Sequence, residues 1–167
     1  SLGLVDALAP HRRVVAVDLP GQPGLSVANG PSGDRMSGYG RWLDEVLAAV
    51  DDQVLLVGHS MGAAAALAAT PSAQIVGLAL LDPAGLEKPA LGIGLVGRFL
   101  RWTLRPGPAS SAGLVGAMQA PDRPPSPTLT EWFTLVGRQC RSTGAPGPSP
   151  VDVVRRWRDT PRAVVVG

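Results

Sequence analysis

The chain has 167 residues, of which 45% are hydrophobic and 17% are charged, and its formal net charge is +2. These values fit one globular domain and exclude a disordered polymer, and no apolar run reaches the roughly 20 residues of a membrane-spanning helix. The single cysteine, Cys140, excludes an intramolecular disulfide. The sequence shows no nucleic-acid-binding pattern, and no cluster of histidine, cysteine and carboxylate side chains has the spacing of a metal site.

The first part of the chain starts with a helical pattern and then a run of strand length. Residues 2–9 predict a helix that ends near Pro10. The β-branched run at 13–18 predicts a strand, which leads into a loop rich in proline and glycine.

Helical patterns and apolar runs then continue to alternate. Ser37 is the expected cap of a second helix, whose apolar side chains recur at helical spacing. Two further apolar runs, 53–58 and 75–81, predict strands, and the alanine-rich segment 61–70 between them predicts a helix. Because strands that are apolar on both faces are typical of a sheet covered by helices, this order predicts an α/β fold with a parallel sheet and crossover helices.

Beyond residue 82 the sequence is rich in proline, glycine and serine, and it carries most of the positive charge. Residues 87–167 hold 11 basic and 5 acidic side chains, against 4 and 8 in residues 1–86. Segment 105–128 is expected to be largely irregular. The other expected elements are three helices and a final strand, at 91–105, at 130–140 with Thr130 as cap, at 149–157 with Ser149 as cap, and at 162–166.

The strongest chemical signal is the pentapeptide Gly58-His59-Ser60-Met61-Gly62, which matches the pattern G-x-S-x-G. It directly follows a predicted buried strand and opens a predicted helix, which is where a serine is held at the apex of a sharp turn. The residues two before and two after the serine are expected to be nearly free of side chains, which explains both glycines. The helix start directs the Met61 amide at the same point, where it can stabilise an oxyanion.

The segment around this serine, residues 54–69, resembles the α/β-hydrolase fold superfamily, as do the segments 13–26 and 75–86. In 13–26 the residues that match the superfamily's loop pattern D-x-x-G-x-G-x-S, with one extra residue between the glycines, are Asp18, Gly21, Gly24 and Ser26. The resemblance implies that Ser60 is a nucleophile, that the Met61 N–H is one oxyanion donor, and that the chemistry needs no cofactor.

The resemblance also implies an incomplete α/β-hydrolase fold with a helical cap rich in proline and glycine. Residues 1–86 are expected to form the hydrolase core, 87–160 a cap that covers the pocket, and 161–167 a return to the core. In this superfamily the catalytic residues follow the order Ser, acid, His. The acid and the base are therefore expected beyond residue 167, and the chain is expected to be a fragment lacking both ends, with little activity alone.

Three residues are weaker candidates for the missing roles. His59 is expected to leave the turn on the side opposite the serine, and His11 lies at the far end of a predicted strand, so neither is expected to act as a base. Asp82 follows the strand at 75–81, where some members of the superfamily carry the acid. An Asp-Pro pair at the end of a strand is, however, more typical of a turn.

The run Gly92-Ile93-Gly94-Leu95-Val96-Gly97 matches G-x-G-x-x-G, but no predicted strand directly precedes it, which argues against a dinucleotide site. A cap helix over 91–105 that packs closely at these glycines is preferred. Its arginines lie within about 60° of arc, at Arg98, Arg101 and Arg105. Such a helix commonly packs on the body with solvated arginines; the alternatives are that it covers the substrate pocket or contacts a lipid surface. The aromatic side chains of the region either line an apolar pocket or, more commonly, pack in a core, namely Trp102, Trp132, Phe133 and Trp157.

The sequence therefore predicts a serine hydrolase that acts on an ester or a related acyl group of a small molecule and binds no nucleic acid. A non-catalytic ligand-binding protein on the same fold is the alternative, and an inert truncated product is a third. Because nothing at its start resembles a signal peptide, a cytoplasmic location is expected.

Overall fold

A computed structural model describes residues 2–86, 92–119, 123–140 and 146–166. The elements within these ranges are α1 Leu2–Leu8, α2 Arg35–Ala48, β1 Val54–His59, α3 Met61–Ala68, β2 Ile75–Leu81, α4 Ile93–Leu104, α5 Pro108–Met118, α6 Pro127–Gln139, α7 Val151–Arg155 and β3 Arg162–Val165.

The three strands form one parallel sheet in the order β1-β2-β3. The register places Val57 beside Ala79 and Ala79 beside Ala163. Helix α3 connects β1 to β2, and α4–α7 lie between β2 and β3 in the sequence. A tight turn reverses the chain direction and therefore joins antiparallel strands. Parallel strands need long crossover connections such as these. The predicted fold class, an incomplete α/β fold with a parallel sheet, is confirmed.

One face of the sheet carries the hydrophobic core. Small alanine side chains let α3 lie close to the sheet and to α2, and Gly40 of α2 lies so near the backbone of Ala68 that a Cβ atom there would collide with it. The buried core residues come from α2, α3, β2 and the turn after α7, namely Leu43, Leu47, Ala63, Ala66, Leu67, Ala69, Ile75, Leu78, Leu80 and Trp157. The opposite face is open, because Leu55, Val57 and Val165 are exposed there.

The predicted strand at residues 13–18 is wrong. This segment has no assigned secondary structure, and Val15 and Val17 are exposed. A strand needs a neighbour that exchanges backbone hydrogen bonds with it, and within the described residues β1 pairs only with β2. The β-branched composition favours an extended backbone, but within the described residues no neighbouring strand pairs with this segment.

Two helix starts differ from the prediction because another residue provides the cap. Helix α2 begins after Asp34, whose carboxylate accepts the Met36 amide, while the predicted cap Ser37 lies in the first turn and donates its hydroxyl to Asp34. Helix α6 begins after Ser126, whose hydroxyl accepts the Leu129 amide, rather than at Thr130.

The second half of the chain also contains more helix than the sequence predicts. Segment 105–128 includes α5, which starts with Pro108 at its first position. Proline is favoured there because the first amides of a helix have no partner. The cap of α7 is Pro150 rather than Ser149.

Helices α4, α5 and α6 pack against one another. The Trp102 indole N–H of α4 donates to the Phe133 carbonyl of α6 at 3.1 Å, and the buried Thr134 hydroxyl donates to the Ser111 hydroxyl of α5 at 2.9 Å. The predicted close packing at the glycines of α4 is wrong, because a Cβ atom at Gly92, Gly94 or Gly97 would meet nothing within 4 Å. Within the described residues, the helices are all too short or too polar to cross a bilayer.

The Asp34 cap of α2 gives a pH-dependent prediction. Hydrogen bonds, chiefly from the Ser37 hydroxyl, lower the pKa of the Asp34 carboxyl below its ordinary value of 3.8. The stabilisation is therefore complete above that value and is lost as the pH falls through the lowered pKa. Asp34→Ala is expected to lower the urea midpoint slightly at pH 7, and the difference should vanish near about pH 2. Asp34→Asn, which keeps a capping oxygen, is the control, and a pH-independent difference for the alanine variant would contradict the assignment.

Candidate active site

Ser60 occupies the junction between β1 and α3 in a backbone conformation that is unfavourable for residues other than glycine. Its backbone angles are φ 51° and ψ −116°, close to those of the first central residue of a type II′ turn, a position normally held by glycine. Among the described non-glycine residues only Ser60 and Asp82 have positive φ. The turn predicted from the G-x-S-x-G pattern is therefore present, with the serine at its apex.

The two glycines of the motif have different environments. A Cβ atom at Gly58 would lie 2.6 Å from the Cα of Ala63 and 2.6 Å from the Gly62 carbonyl oxygen, so the strand and the helix approach each other too closely for a side chain. A Cβ atom at Gly62 would meet nothing within 4 Å. The steric expectation is confirmed at Gly58 and is wrong at Gly62.

Backbone hydrogen bonds hold the turn in place. The Ser60 amide donates to the Leu81 carbonyl at 3.0 Å, which joins the ends of β1 and β2. The Ser60 carbonyl accepts from the Ala63 amide at 3.0 Å and from the Ala84 amide at 3.2 Å. The surrounding segments thus fix the unfavourable φ angle, as a strained residue requires.

The Ser60 side chain is exposed at the beginning of α3 and makes no capping hydrogen bond to the helix. The first amides of a helix have no intrahelical acceptor, and here they belong to Met61 and Gly62. They give the helix start a partial positive charge beside the hydroxyl. The arrangement can stabilise negative charge on an oxygen bound next to Ser60.

Asp82 lies at the same edge of the sheet, directly after β2. Its φ angle is 42°, and its amide donates to the Val165 carbonyl at 2.8 Å. The register places His59 beside Leu81, so the residues that follow them, Ser60 and Asp82, leave neighbouring strand ends. Sequence reasoning named Asp82 but missed its backbone strain; the Asp-Pro pair, which favours a turn, was the available signal.

Neither histidine forms a hydrogen bond with the serine hydroxyl. His59 is the last residue of β1, and His11 lies in the turn after α1, where its side chain is exposed. Among the described residues, no hydrogen bond joins the Ser60 hydroxyl to a histidine or a carboxylate.

The loop that follows residues 13–18 is held by the residues that the sequence pattern singled out. The Asp18 carboxylate accepts the Leu25 amide at 2.8 Å, and a Cβ atom at Gly24 would collide with the Asp18 side chain. The buried Tyr39 hydroxyl of α2 donates to the Pro20 carbonyl at 3.0 Å. These contacts fix the loop to α2.

Among the described residues, no group of three or more histidine, cysteine and acidic side chains is arranged to hold a metal ion.

Comparison with known proteins agrees with this architecture. A parallel sheet with crossover helices, and a serine at a sharp strand-to-helix turn, define an α/β protein of hydrolase type. The model of the alpha/beta hydrolase family matches residues 1–167, and the chain belongs to that family. No curated protein and no solved structure gave a match.

Proposed function

We propose that the chain acts as a serine hydrolase on an ester or a related acyl compound of small size, with Ser60 as the nucleophile. The observation that carries the proposal is the exposed Ser60 hydroxyl at the start of α3, on a backbone with φ 51°. A hydroxyl at such a junction is open to a substrate on one side and faces helix amides on the other. The hydrolase class follows from the family, whereas the ester-type bond and the residue roles are our proposal.

In the proposed reaction the Ser60 Oγ attacks the carbonyl carbon, and a base takes the hydroxyl proton. The negative charge that develops on the carbonyl oxygen is stabilised by the Met61 amide. The alcohol leaves with a proton, and an acyl group remains on Ser60. Water then attacks the acyl carbon, which releases the acid and restores the hydroxyl.

The acid and the base are not assigned to described residues. Asp82 leaves the strand next to Ser60, but its positive φ and its amide bond to Val165 also suit the structural turn that we prefer. Without a base the reaction at Ser60 is expected to be slow.

Covalent labelling tests the proposal on the chain as it is. A fluorophosphonate probe should add to Ser60 with loss of fluoride, and Ser60 should react about 100-fold faster than an ordinary exposed serine, because one oxyanion donor alone contributes that order of magnitude. Peptide mass spectrometry after a time course locates the adduct. Ser60→Ala should abolish it, whereas Ser72→Ala, which removes another exposed serine, should leave it unchanged.

The same variants separate catalysis from binding. Slow release of p-nitrophenol from a p-nitrophenyl ester should fall to the background rate in Ser60→Ala. Labelling spread evenly over the serines of a folded chain would contradict the nucleophile assignment. The alternative of a non-catalytic ligand-binding protein would then be preferred.

A further inference from the structure

Helix α4 exposes a continuous apolar stripe, formed by Ile93, Val96, Leu100 and Leu104. The exposed fraction is 93% for Ile93 and 71% for Leu104, and the two residues between them are also exposed. Single exposed apolar residues are ordinary, but four that recur along one helix form a contiguous patch that indicates an interaction surface.

The packing of α4 fixes the direction of this stripe. At 100° per residue the four side chains fall within about 80° of arc. Trp102 lies on the opposite side of the helix, where it is buried and bonded to the Phe133 carbonyl of α6. Rotation of the stripe toward α6 would break this contact, so the stripe faces outward in the folded chain.

Positive charge borders the stripe. Arg101 follows one of its edges, about 60° from the nearest stripe residue, Leu104, and Arg105 is the first residue after the helix. Arg98 lies further round and donates to the Gly113 carbonyl at 3.2 Å. No aspartate or glutamate occurs in residues 92–119. A surface that is apolar in its centre and cationic at its border is complementary to the headgroups and acyl chains of an anionic bilayer.

We infer that α4 binds the surface of a membrane rich in anionic phospholipid and lies in the plane of the interface. Its 12 residues span about 18 Å, which is too short to cross the hydrocarbon core. The open face of the sheet is a weaker candidate for this role. It is also apolar, but the only cation of its strands, Arg162, donates to the Trp157 carbonyl.

Vesicle co-sedimentation of the full chain tests the inference. Phosphatidylcholine vesicles that contain about 30% phosphatidylserine should bind the protein, whereas pure phosphatidylcholine vesicles should bind it much more weakly, because each arginine near an anionic surface contributes about a fivefold gain. Raising the salt concentration should reduce the difference.

Two pairs of variants separate the stripe from general stickiness. Ile93→Ser with Leu104→Ser should weaken binding at least about tenfold, since the two side chains would no longer enter the acyl region. Leu25→Ser with Val27→Ser, which removes two other exposed apolar side chains, is the matched control and should change little.

The second pair tests the position of the arginines, because both double variants carry the same change in net charge. Arg101→Gln with Arg105→Gln should weaken binding to the anionic vesicles by about 25-fold. Arg12→Gln with Arg156→Gln carries the same charge change at exposed positions outside α4 and should have a smaller effect.

Measurements of folding and of self-association accompany the vesicle-binding experiments, so that a loss of binding can be assigned to the substituted side chains. Circular dichroism should show equal helix content in all variants, as these side chains are exposed. Equal vesicle binding by the stripe variant and its control would overturn the inference. So would light scattering that shows a dimer dissolved by the stripe substitutions without any vesicle binding, since the stripe would then bind a second copy of the chain.

Discussion

Gly58→Ala is expected to lower the free energy of unfolding by about 3 kcal/mol. The new Cβ atom would meet the Ala63 amide nitrogen at 2.7 Å, as well as the Ala63 Cα and the Gly62 carbonyl oxygen. All three are backbone atoms, so no side chain can rotate away, and either β1 or α3 must move. Since α3 supplies much of the core, the cost should spread through the fold.

Urea denaturation followed by far-ultraviolet circular dichroism measures this effect, and Gly62→Ala is the matched control. The Gly62 position is open, and alanine is a better helix former than glycine, so the control should be neutral or up to about 1 kcal/mol more stable. Similar losses in both variants would show that the motif needs both glycines for the fold.

The second large effect is expected at Trp157. Its side chain is 1% exposed, it packs in the core, and its indole N–H donates to the Leu67 carbonyl of α3 at 2.9 Å. Trp157→Ala should therefore lower the free energy of unfolding by about 3–5 kcal/mol. Trp132→Ala, at a position that is 47% exposed, should lower it by less than about 1 kcal/mol.

Thermal and urea unfolding of these variants give the comparison. Trp157→Phe divides the effect, because it keeps most of the buried ring area and loses the hydrogen bond, which contributes about 1 kcal/mol. An alanine variant at Trp157 that is as stable as the one at Trp132 would show that the turn after α7 does not hold the core together.

Local sequence patterns are sufficient to predict those elements whose conformation depends mainly on neighbouring residues. The strand at 75–81 was predicted with the bounds that the structure has, because a wholly apolar run between turn residues has few alternatives inside a sheet. The serine turn was predicted for the same reason, since glycine, serine and an alanine-rich helix occur in the required order. Trp157 packs in a core, the more common alternative for an aromatic side chain.

Local patterns do not predict the structure where a contact distant in the sequence, or a second suitable residue nearby, determines the conformation. The run at 13–18 has the composition of a strand, but within the described ranges no strand pairs with it. Asp34 and Ser37 are both good caps three residues apart, and only the geometry of the first turn selects the aspartate. Helix α5 was missed because its glycine and serine content suggests a loop, while the buried pair of Ser111 and Thr134 ties it to α6.

The φ angle of Ser60 creates a conflict between thermal stability and reactivity at this position. A glycine there would relax a conformation that costs about 1–3 kcal/mol, and each kcal/mol raises the melting temperature of a chain of this size by about 2–4 °C. The same exchange would delete the hydroxyl. An engineer who improves thermal tolerance by easing the backbone would therefore have to leave this residue alone and seek the gain elsewhere.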